Sequence, residues 1–369
     1  MMRVTNNSTL YSYQKNLMKN TNQVYAAMNS LMTGRKFDSY SADPAGATQA
    51  FKLYSSLNAV NAQYSNTTTV LNKVSTAWDI ADDMIDKLVS DLGQAPALKG
   101  LNDTNLSTLN TQGQVIYSGA EAMVQSLNSR YGDSFLFNGA DTQNPPFALE
   151  TENGKSYVTY RGVRIDDPES LSQPYVGEDG KQVLKDDGTA MTNQEMLDQW
   201  SKETQYVDIG LGFQLDRDDN VLSSTAFNSA ISGVDFIGGS GVDEDGDPKN
   251  IVSIMVRLSE VFKGYNQDTG EWSDAGNKED AQRLMQKLTK AQENLSASHT
   301  QLETKASYLK TNQSQLEDSF STMNTELVSV ERVDQVDAIM ALMAAQTSYN
   351  AALQAGTSVI PKSLMDYLS

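Results

Sequence analysis

The sequence predicts a mainly α protein, in which long helices from both chain ends form an antiparallel helical or coiled-coil bundle that carries a central α+β or β insertion. Apolar residues recur every seven positions in both terminal thirds, whereas the middle changes to strand-like alternation and turn signals. Charge divides the chain in the same way. Residues 1–140 carry no net charge, but residues 141–250 carry 22 acidic and 8 basic side chains. The insertion therefore differs in composition from the flanking helices.

The overall composition excludes several kinds of site. The 369 residues include 47 acidic and 28 basic side chains, one His and no Cys. A net charge of −19 argues against binding to nucleic acid or to an anionic membrane surface. The absence of Cys excludes disulfides, zinc–thiolate sites and cysteine nucleophiles. We expect no membrane insertion and no cleaved signal peptide, because no apolar run is long enough and the N-terminal segment lacks a continuous apolar core.

The N-terminal third predicts three helices. The first ends near Gly34, and Asp43-Pro44 marks a turn that can start the second. The second helix has two rows of residues spaced by seven, which predict a coiled-coil seam that ends at Gly93. These rows are Leu57, Tyr64, Leu71, Trp78, Ile85 and Leu92, and Val60, Thr67, Val74, Ala81 and Leu88. A third helix is predicted over 104–130.

The C-terminal third predicts two more helices. One seam has a residue every seven positions, at Leu288, Leu295, Leu302, Leu309, Leu316, Met323 and Val330. A second apolar helix runs from Val336 to about Leu353. Since such helices cannot bury their seams alone, the helices of the two chain ends are predicted to pack against each other.

The insertion predicts a mixture of strands, turns and one short helix. Strands are expected over 156–163 and 206–215, and a helix over 192–200. The segment 238–247 is predicted to be a flexible, solvated acidic loop, before a helix that begins near Asn250.

No residue pattern predicts catalysis or ligand binding. The acidic run that begins at Asp243 fails as a calcium loop, because Pro248 takes the position of the required Gly and Ile254 that of the bidentate Glu. Gly239-Ser240-Gly241 lacks the third glycine of a dinucleotide turn. His299 is predicted to be an ordinary helix residue. We therefore expect no catalytic residue, no cofactor, no metal site and no enzyme activity.

Several motifs resemble the bacterial flagellin superfamily. These are residues 2–7, the end of the first helix at 31–36, the Asp-Pro turn within 41–47, and the C-terminal segment 344–368. The run 130–140, with Phe-Leu-Phe-Asn-Gly before Pro145-Pro146-Phe147, resembles the hook–filament junction proteins, the hook-associated protein 3 family, where the chain leaves the helical core. The resemblance covers about 1–147 and 280–369.

The resemblance implies a structural protein of the bacterial flagellum, a junction or adaptor protein that joins hook to filament. Its implied partners are copies of itself, a second hook-associated junction protein, flagellin and a flagellar export chaperone. Its implied location is extracellular, after export by the flagellar type III pathway. Five regions are predicted: an N-terminal assembly helix over 1–45, two halves of a helical rod over 46–147 and 251–333, a variable β-rich acidic domain over 148–250, and a C-terminal assembly helix over 334–369.

We expect the assembly contacts at nine apolar residues of the terminal helices. They are Leu10, Leu17, Val24, Leu31, Ile339, Met340, Met343, Leu353 and Leu364. The seams over 57–92 and 288–330 are expected to be packed within one chain instead.

Flagellin, the self-polymerising filament subunit, is the nearest alternative function. A non-flagellar coiled-coil adaptor or secretion-needle tip protein is more distant, and an enzyme with a carboxylate site in the insertion is the least favoured.

Overall fold

The structure is a computed structural model that describes residues 6–103, 106–141, 143–177 and 180–359. It is 61% helical, and helices from the two chain ends pack together, which confirms the mainly α class. The α-helices of the described residues are α1 (Asn6–Thr33), α2 (Pro44–Asp83), α3 (Ala95–Asn102), α4 (Leu109–Leu127), α5 (Pro168–Ser172), α6 (Asn193–Ser201), α7 (Gly233–Phe236), α8 (Ile251–Lys263), α9 (Lys278–Glu331) and α10 (Gln335–Val359).

Short antiparallel strands follow the helices of the N-terminal third. They are β1 (Arg130–Tyr131), β2 (Ser134–Phe135), β3 (Phe147–Glu152), β4 (Lys155–Tyr160), β5 (Val163–Arg164), β6 (Tyr206–Val207), β7 (Phe227–Asn228), β8 (Tyr265–Asn266) and β9 (Glu271–Trp272). The sheet β3-β4-β5 pairs Phe147 with Tyr160 and Tyr160 with Val163, which confirms the strand predicted over 156–163. The three other pairs are β1-β2, β6-β7 and β8-β9.

The strand predicted over 206–215 is mostly wrong. Only Tyr206–Val207 pairs as a strand, with Phe227–Asn228. Gly210 and Gly212 have φ angles of 90° and 76°, in the left-handed region that breaks the alternation of an extended strand. The helix predicted over 192–200 is confirmed as α6, which begins with a capping box between Thr192 and Glu195.

The chain divides into two compact units. The first contains residues 1–62 and 316–369, and the second contains residues 63–315. In the second unit α4 packs against α8, with buried large side chains such as Leu127 and Phe262. Gly100 and Gly113 let two helices approach this phenylalanine, because a Cβ at either glycine would lie 2.8 or 2.9 Å from it.

Helix α2 does not end at Gly93 as predicted. It continues as a π-helical segment, Met84–Gln94, and then as α3. The i→i−5 hydrogen bonds of a π-helix add a residue to each turn, as in the bond from Ala95 N to Ser90 O. The apolar face therefore shifts, and Val89 is the next buried residue after Met84.

The predicted seam of α2 is half right in the second unit. One row is confirmed, since Thr67, Val74 and Ala81 are buried. The other row is displaced by one residue: the buried side chains are Val70, Ala77 and Met84, while Leu71, Trp78 and Ile85 are half-buried beside them. Within the second unit α9 follows its prediction, with Leu288, Leu295, Leu302 and Leu309 all buried.

The first unit has a much smaller apolar core. Its buried cluster consists of Ala50, Leu57 and Leu327. Four half-buried side chains pack against this cluster, namely Phe37, Leu53, Met323 and Val330. Few apolar side chains in the described part of this unit are therefore fully buried.

Candidate assembly interface

Helices α1 and α10 of the first unit pack against each other in antiparallel orientation. Asn20 Nδ2 donates a hydrogen bond to Ser348 O at 3.4 Å, and Tyr13 lies against Gly356, where a Cβ would meet the tyrosine hydroxyl. On α10 the covered positions alternate at spacings of four and three, at Ala338, Leu342, Ala345, Tyr349, Ala352 and Gly356. Such alternation is typical of a two-helix seam.

The N-terminal residues predicted for assembly lie on this covered face. Leu10, Leu17, Val24 and Leu31 are half-buried, in the same helical phase as Tyr13 and Asn20, which contact α10. They therefore serve the pairing of α1 with α10 within one chain. Whether they also contact a second subunit stays a prediction.

Four of the predicted C-terminal residues lie on the uncovered face of α10. Ile339, Met340, Met343 and Leu353 are between 42% and 63% exposed. Leu364 lies outside the described residues. The apolar face of α10 therefore exceeds what α1 covers, which leaves area for another partner.

A second apolar row lies on α1, beside the one predicted from the sequence. Tyr11, Met18, Tyr25 and Met32 are spaced by seven, and each directly follows one of the four predicted residues. They are between 66% and 75% exposed. The signal was the same heptad period shifted by one position. Since α1 contains Lys15 and Lys19 but no acidic residue, this exposed face is apolar and mildly basic.

Two turns fix the ends of the helices in the first unit. After α1, Gly34 has a φ of 68°, and its carbonyl accepts from Val333 N at 3.0 Å. Lys36 N donates to Glu331 O at 2.8 Å, which joins the end of α1 to the end of α9. The Gly-Arg-Lys segment of the motif at 31–36 thus closes a backbone connection between the two terminal thirds.

The Asp-Pro turn starts α2 as predicted. Pro44 is the first helical residue, and Asp43 Oδ1 accepts from Gly46 N at 3.0 Å. This carboxylate satisfies a backbone donor that no helical carbonyl can reach. A Cβ at Gly46 would lie 3.0 Å from the Phe37 ring, so the glycine permits close packing.

The Phe-Leu-Phe-Asn-Gly motif forms a buried junction in the second unit. Asn138 is fully buried, and its side-chain amide donates to Asn144 O at 2.8 Å. Its Oδ1 accepts from Arg161 Nε at 2.8 Å. Gly139 has a φ of 60°, and a Cβ there would lie 2.6 Å from Glu203 Oε2. The motif therefore requires both the side-chain amide of Asn138 and the glycine at 139.

Arg161 connects this motif to α6. Its two terminal nitrogens each donate to a carboxylate oxygen of Glu203 at 2.8 Å, and the guanidinium lies over the rings of Tyr160 and Trp200. A bidentate arginine–carboxylate pair fixes both side chains. The motif thus anchors the insertion to the residues that follow α4, which the sequence pattern did not indicate.

The acidic loop is not simply solvated, which corrects the prediction. Asp243, Asp245 and Asp247 place carboxylate oxygens within 4.8 Å of one another, a grouping that could hold a metal ion. Lys287 Nζ lies 2.7, 2.8 and 2.7 Å from these three carboxylates. Burial raises the pKa of Asp247, but hydrogen bonds from Arg283 and Lys287 outweigh it and lower that pKa overall.

None of the helices in the described ranges combines the length and the apolar character needed to cross a bilayer.

Trp78 stacks on His299 with ring centroids 4.8 Å apart, which places the single histidine of the chain in a helix–helix contact of the second unit.

Comparison with known proteins supports the fold. The chain resembles the structure of a putative flagellar hook-associated protein from Vibrio parahaemolyticus, with a TM-score of 0.50 and 12% identity over 79% of this chain and 100% of that one. This likeness shows a shared fold. Two other solved structures align with lower scores. Bacillus cereus FlgL aligns with a TM-score of 0.41 and 13% identity over 75% of this chain and 99% of that one. The flagellar hook-associated protein-3 from Legionella pneumophila aligns with a TM-score of 0.43 and 9% identity over 75% of this chain and 98% of that one. No protein-family model and no curated protein sequence matches the chain.

Proposed function

We propose that the chain is a structural subunit of the bacterial flagellum, a junction protein that joins hook to filament through its terminal helices. One observation carries the proposal: α1 and α10 pair with each other and still expose apolar rows on their outer faces. A monomer rarely leaves such rows uncovered on two neighbouring helices. The fold shared with a putative hook-associated protein supports the same conclusion.

Burial of the exposed rows would supply the free energy of assembly. A large apolar side chain contributes about 1.5–3 kcal/mol when it moves from water into a packed contact. Tyr11, Met18, Tyr25 and Met32 on α1 and Met340 and Met343 on α10 are each about half exposed or more. Burial of this set supplies free energy of the same order as the loss of freedom on association, which is estimated at about 4–15 kcal/mol.

The regions have different roles in this proposal. The terminal segments 1–45 and 334–369 assemble with neighbouring subunits, and the residues over 46–147 and 251–333 form the rod. The acidic domain over 148–250 faces solvent, where its net negative charge discourages lateral aggregation. No reaction is part of the proposal.

The proposed partners are copies of this chain, a second hook-associated junction protein and flagellin, with an export chaperone before secretion. The proposed location is outside the cell on the flagellum, after export by the flagellar type III pathway. Methionines suit such contacts, because the flexible thioether side chain adapts to different neighbours.

Seeded polymerisation tests the proposal. Purified monomer is mixed at high salt with hook and filament fragments and viewed by electron microscopy. Short caps on hook ends, with no further growth, are the expected result. Long filaments would instead establish the alternative, flagellin, and an absence of any seeded addition would refute both.

A matched pair of variants links the result to the exposed face. Met18→Asp/Tyr25→Asp is expected to prevent capping while the monomer keeps its helical circular dichroism. Asn16→Asp/Gln23→Asp, which places two charges with the same spacing at exposed polar positions on another side of the helix, is expected to cap normally. Normal capping by the double variant would remove the exposed row of α1 from the interface.

A further inference from the structure

A cavity of about 190 Å³ lies in the second unit beside α9. Polar side chains dominate its wall, among them Lys202, Asn228, Ser298, Gln301 and Lys305 and the two carboxylates Glu203 and Asp235. Amides, hydroxyls and ammonium groups supply hydrogen-bond donors to a bound group. No residue that lines the cavity belongs to α1 or α10, and the proposed assembly does not use it.

Lys305 lies in this wall without a neutralising partner. It is partly buried, and in the described part of the chain it makes no hydrogen bond and no ion pair. Burial lowers its pKa from the ordinary value. A partly desolvated ammonium is unfavourable unless an acceptor or an anion faces it.

A second lysine increases the local positive charge. Lys73 of α2 is also partly buried, and it donates one hydrogen bond, to Gln205 Oε1 at 3.3 Å. Burial lowers the pKa of Lys73, and the positive charge of Lys305 lowers it further. The two ammonium groups therefore repel each other across this region of the second unit.

Two carboxylates, Glu203 and Asp235, also line the cavity, but neither forms an ion pair with Lys305 among the described residues. Glu203 uses both carboxylate oxygens for Arg161 and accepts a further hydrogen bond from Ala140 N at 2.9 Å. Asp235 raises the pKa of Lys305 through its charge, but it is exposed and forms no ion pair among the described residues. Because Arg161 neutralises Glu203, the lining lysines Lys202 and Lys305 face one remaining carboxylate, Asp235, which leaves a small excess of positive charge at the cavity.

We propose that this cavity binds a small oxyanion, either inorganic phosphate or sulfate or the acidic group of a sugar acid. Lys305 supplies the charge, and Asn228, Ser298 and Gln301 line the cavity as hydrogen-bond donors. A charge-assisted hydrogen bond from an ammonium to an oxyanion is among the stronger polar contacts in proteins. The volume is sufficient for one such group with accompanying water.

Isothermal titration of the full chain tests this proposal, at pH 7 and constant ionic strength with chloride as the background anion. The probes are inorganic phosphate, sulfate and glucuronate. We expect saturable binding at one site per chain for at least one probe. Tighter binding of glucuronate than of the inorganic ions would identify a sugar acid as the source, and the reverse order a free ion. Absence of saturable binding by all three probes overturns the proposal.

Variants assign the binding to the cavity. Lys305→Met is expected to weaken binding at least tenfold, while Lys305→Arg retains it. Lys310→Met is the matched control, since Lys310 is an exposed lysine of the same helix, and it is expected to bind as the unmodified chain does. Ser298→Asp, which adds a negative charge to the wall, gives a second test if Lys305→Met does not fold. Unchanged affinity in Lys305→Met or in Ser298→Asp refutes the proposed site.

Discussion

The two units of the chain use their apolar side chains in opposite ways. The second unit buries a large continuous cluster in which Met123, Leu127 and Phe262 have almost no exposed surface. Among its described residues, the first unit has a buried cluster of three side chains, Ala50, Leu57 and Leu327, and it exposes whole apolar rows on α1 and α10. The second unit can therefore be stable through its own contacts, whereas the first keeps apolar area for a partner.

The largest expected effect on stability comes from the core of the second unit. Phe262→Ala removes a fully buried ring and is expected to lower the free energy of unfolding by about 3–5 kcal/mol. Urea unfolding followed by tryptophan fluorescence measures this, because Trp78, Trp200 and Trp272 all lie in the second unit. Tyr25→Ala, in the exposed row of α1, should leave that transition in place within about 0.5 kcal/mol. Equal effects of the two substitutions would contradict the contrast between the units.

The next largest effect on stability is expected at Gly113, where α4 and α8 pack closely. A Cβ at Gly113 would lie 2.9 Å from Phe262 Cβ and 3.1 Å from Ser259 O, and neither atom can move away easily. Gly113→Ala is therefore expected to destabilise the second unit by about 1–3 kcal/mol, although alanine normally favours a helix. The same urea titration measures this. A gain in stability would show that α4 and α8 can separate at little cost.

The ion pairs between Lys287 and the acidic loop give a smaller, salt-dependent effect on stability. Lys287→Met removes the ammonium that contacts Asp243, Asp245 and Asp247, and leaves their mutual repulsion. We expect a loss of about 1–2 kcal/mol at low ionic strength that shrinks as salt screens the carboxylates. Lys290→Met, at an exposed position of α9, is the matched control. A loss that does not depend on salt would point to packing of the lysine stem instead.

Asp166 makes the stability of the folded chain depend on pH, and the sign of this dependence can be predicted. Burial raises the pKa of this carboxyl above its ordinary value of 3.8, and its Oδ1 has no hydrogen-bond partner. The folded state therefore holds the proton more tightly than the unfolded state does, so stability from this group is present at low pH and is lost as the pH rises through the raised pKa. Asp166→Asn is expected to stabilise the chain at pH 7, by an amount that falls toward zero near pH 4. Thermal unfolding at the two pH values measures this, and a larger gain at pH 4 would contradict it.

Sequence pattern predicted the class of fold and the ends of many helices, because heptads and turn residues act locally. The start of α2 at Pro44 follows from Asp43, and the seam of α9 follows from leucines spaced by seven. The pattern did not indicate the π-helical segment from Met84, where the backbone hydrogen bonds shift from i→i−4 to i→i−5. Nor could it decide which of two adjacent rows on α1 faces α10, since Leu17 and Met18 are both apolar and both recur with a period of seven.

The contacts made by charged side chains also could not be predicted from the local sequence pattern. The acidic run at Asp243 has the composition of a solvated loop, and only the fold brings Lys287 to it from a distant helix. Arg161 likewise reaches Asn138 and Glu203 only after three separated segments come together. Such contacts depend on long-range packing, which a local pattern does not encode.

The smallest effect on monomer stability is expected for Leu353→Asp, a variant that distinguishes a role in assembly from a role in folding. Leu353→Asp places a charge on the outer face of α10, where the side chain is already 42% exposed. The free energy of unfolding should change by less than about 0.5 kcal/mol, yet incorporation in the seeded assay should be lost, because a carboxylate would be buried without a partner in the interface. Gln354→Asp adds the same charge at the next exposed position and is expected to weaken incorporation less. Loss of helical circular dichroism in the Leu353→Asp monomer would mean that the residue serves folding, and normal incorporation would mean that the outer face of α10 is not the contact surface. Either result would remove the distinction between a unit that folds on its own contacts and one that is completed by its neighbours.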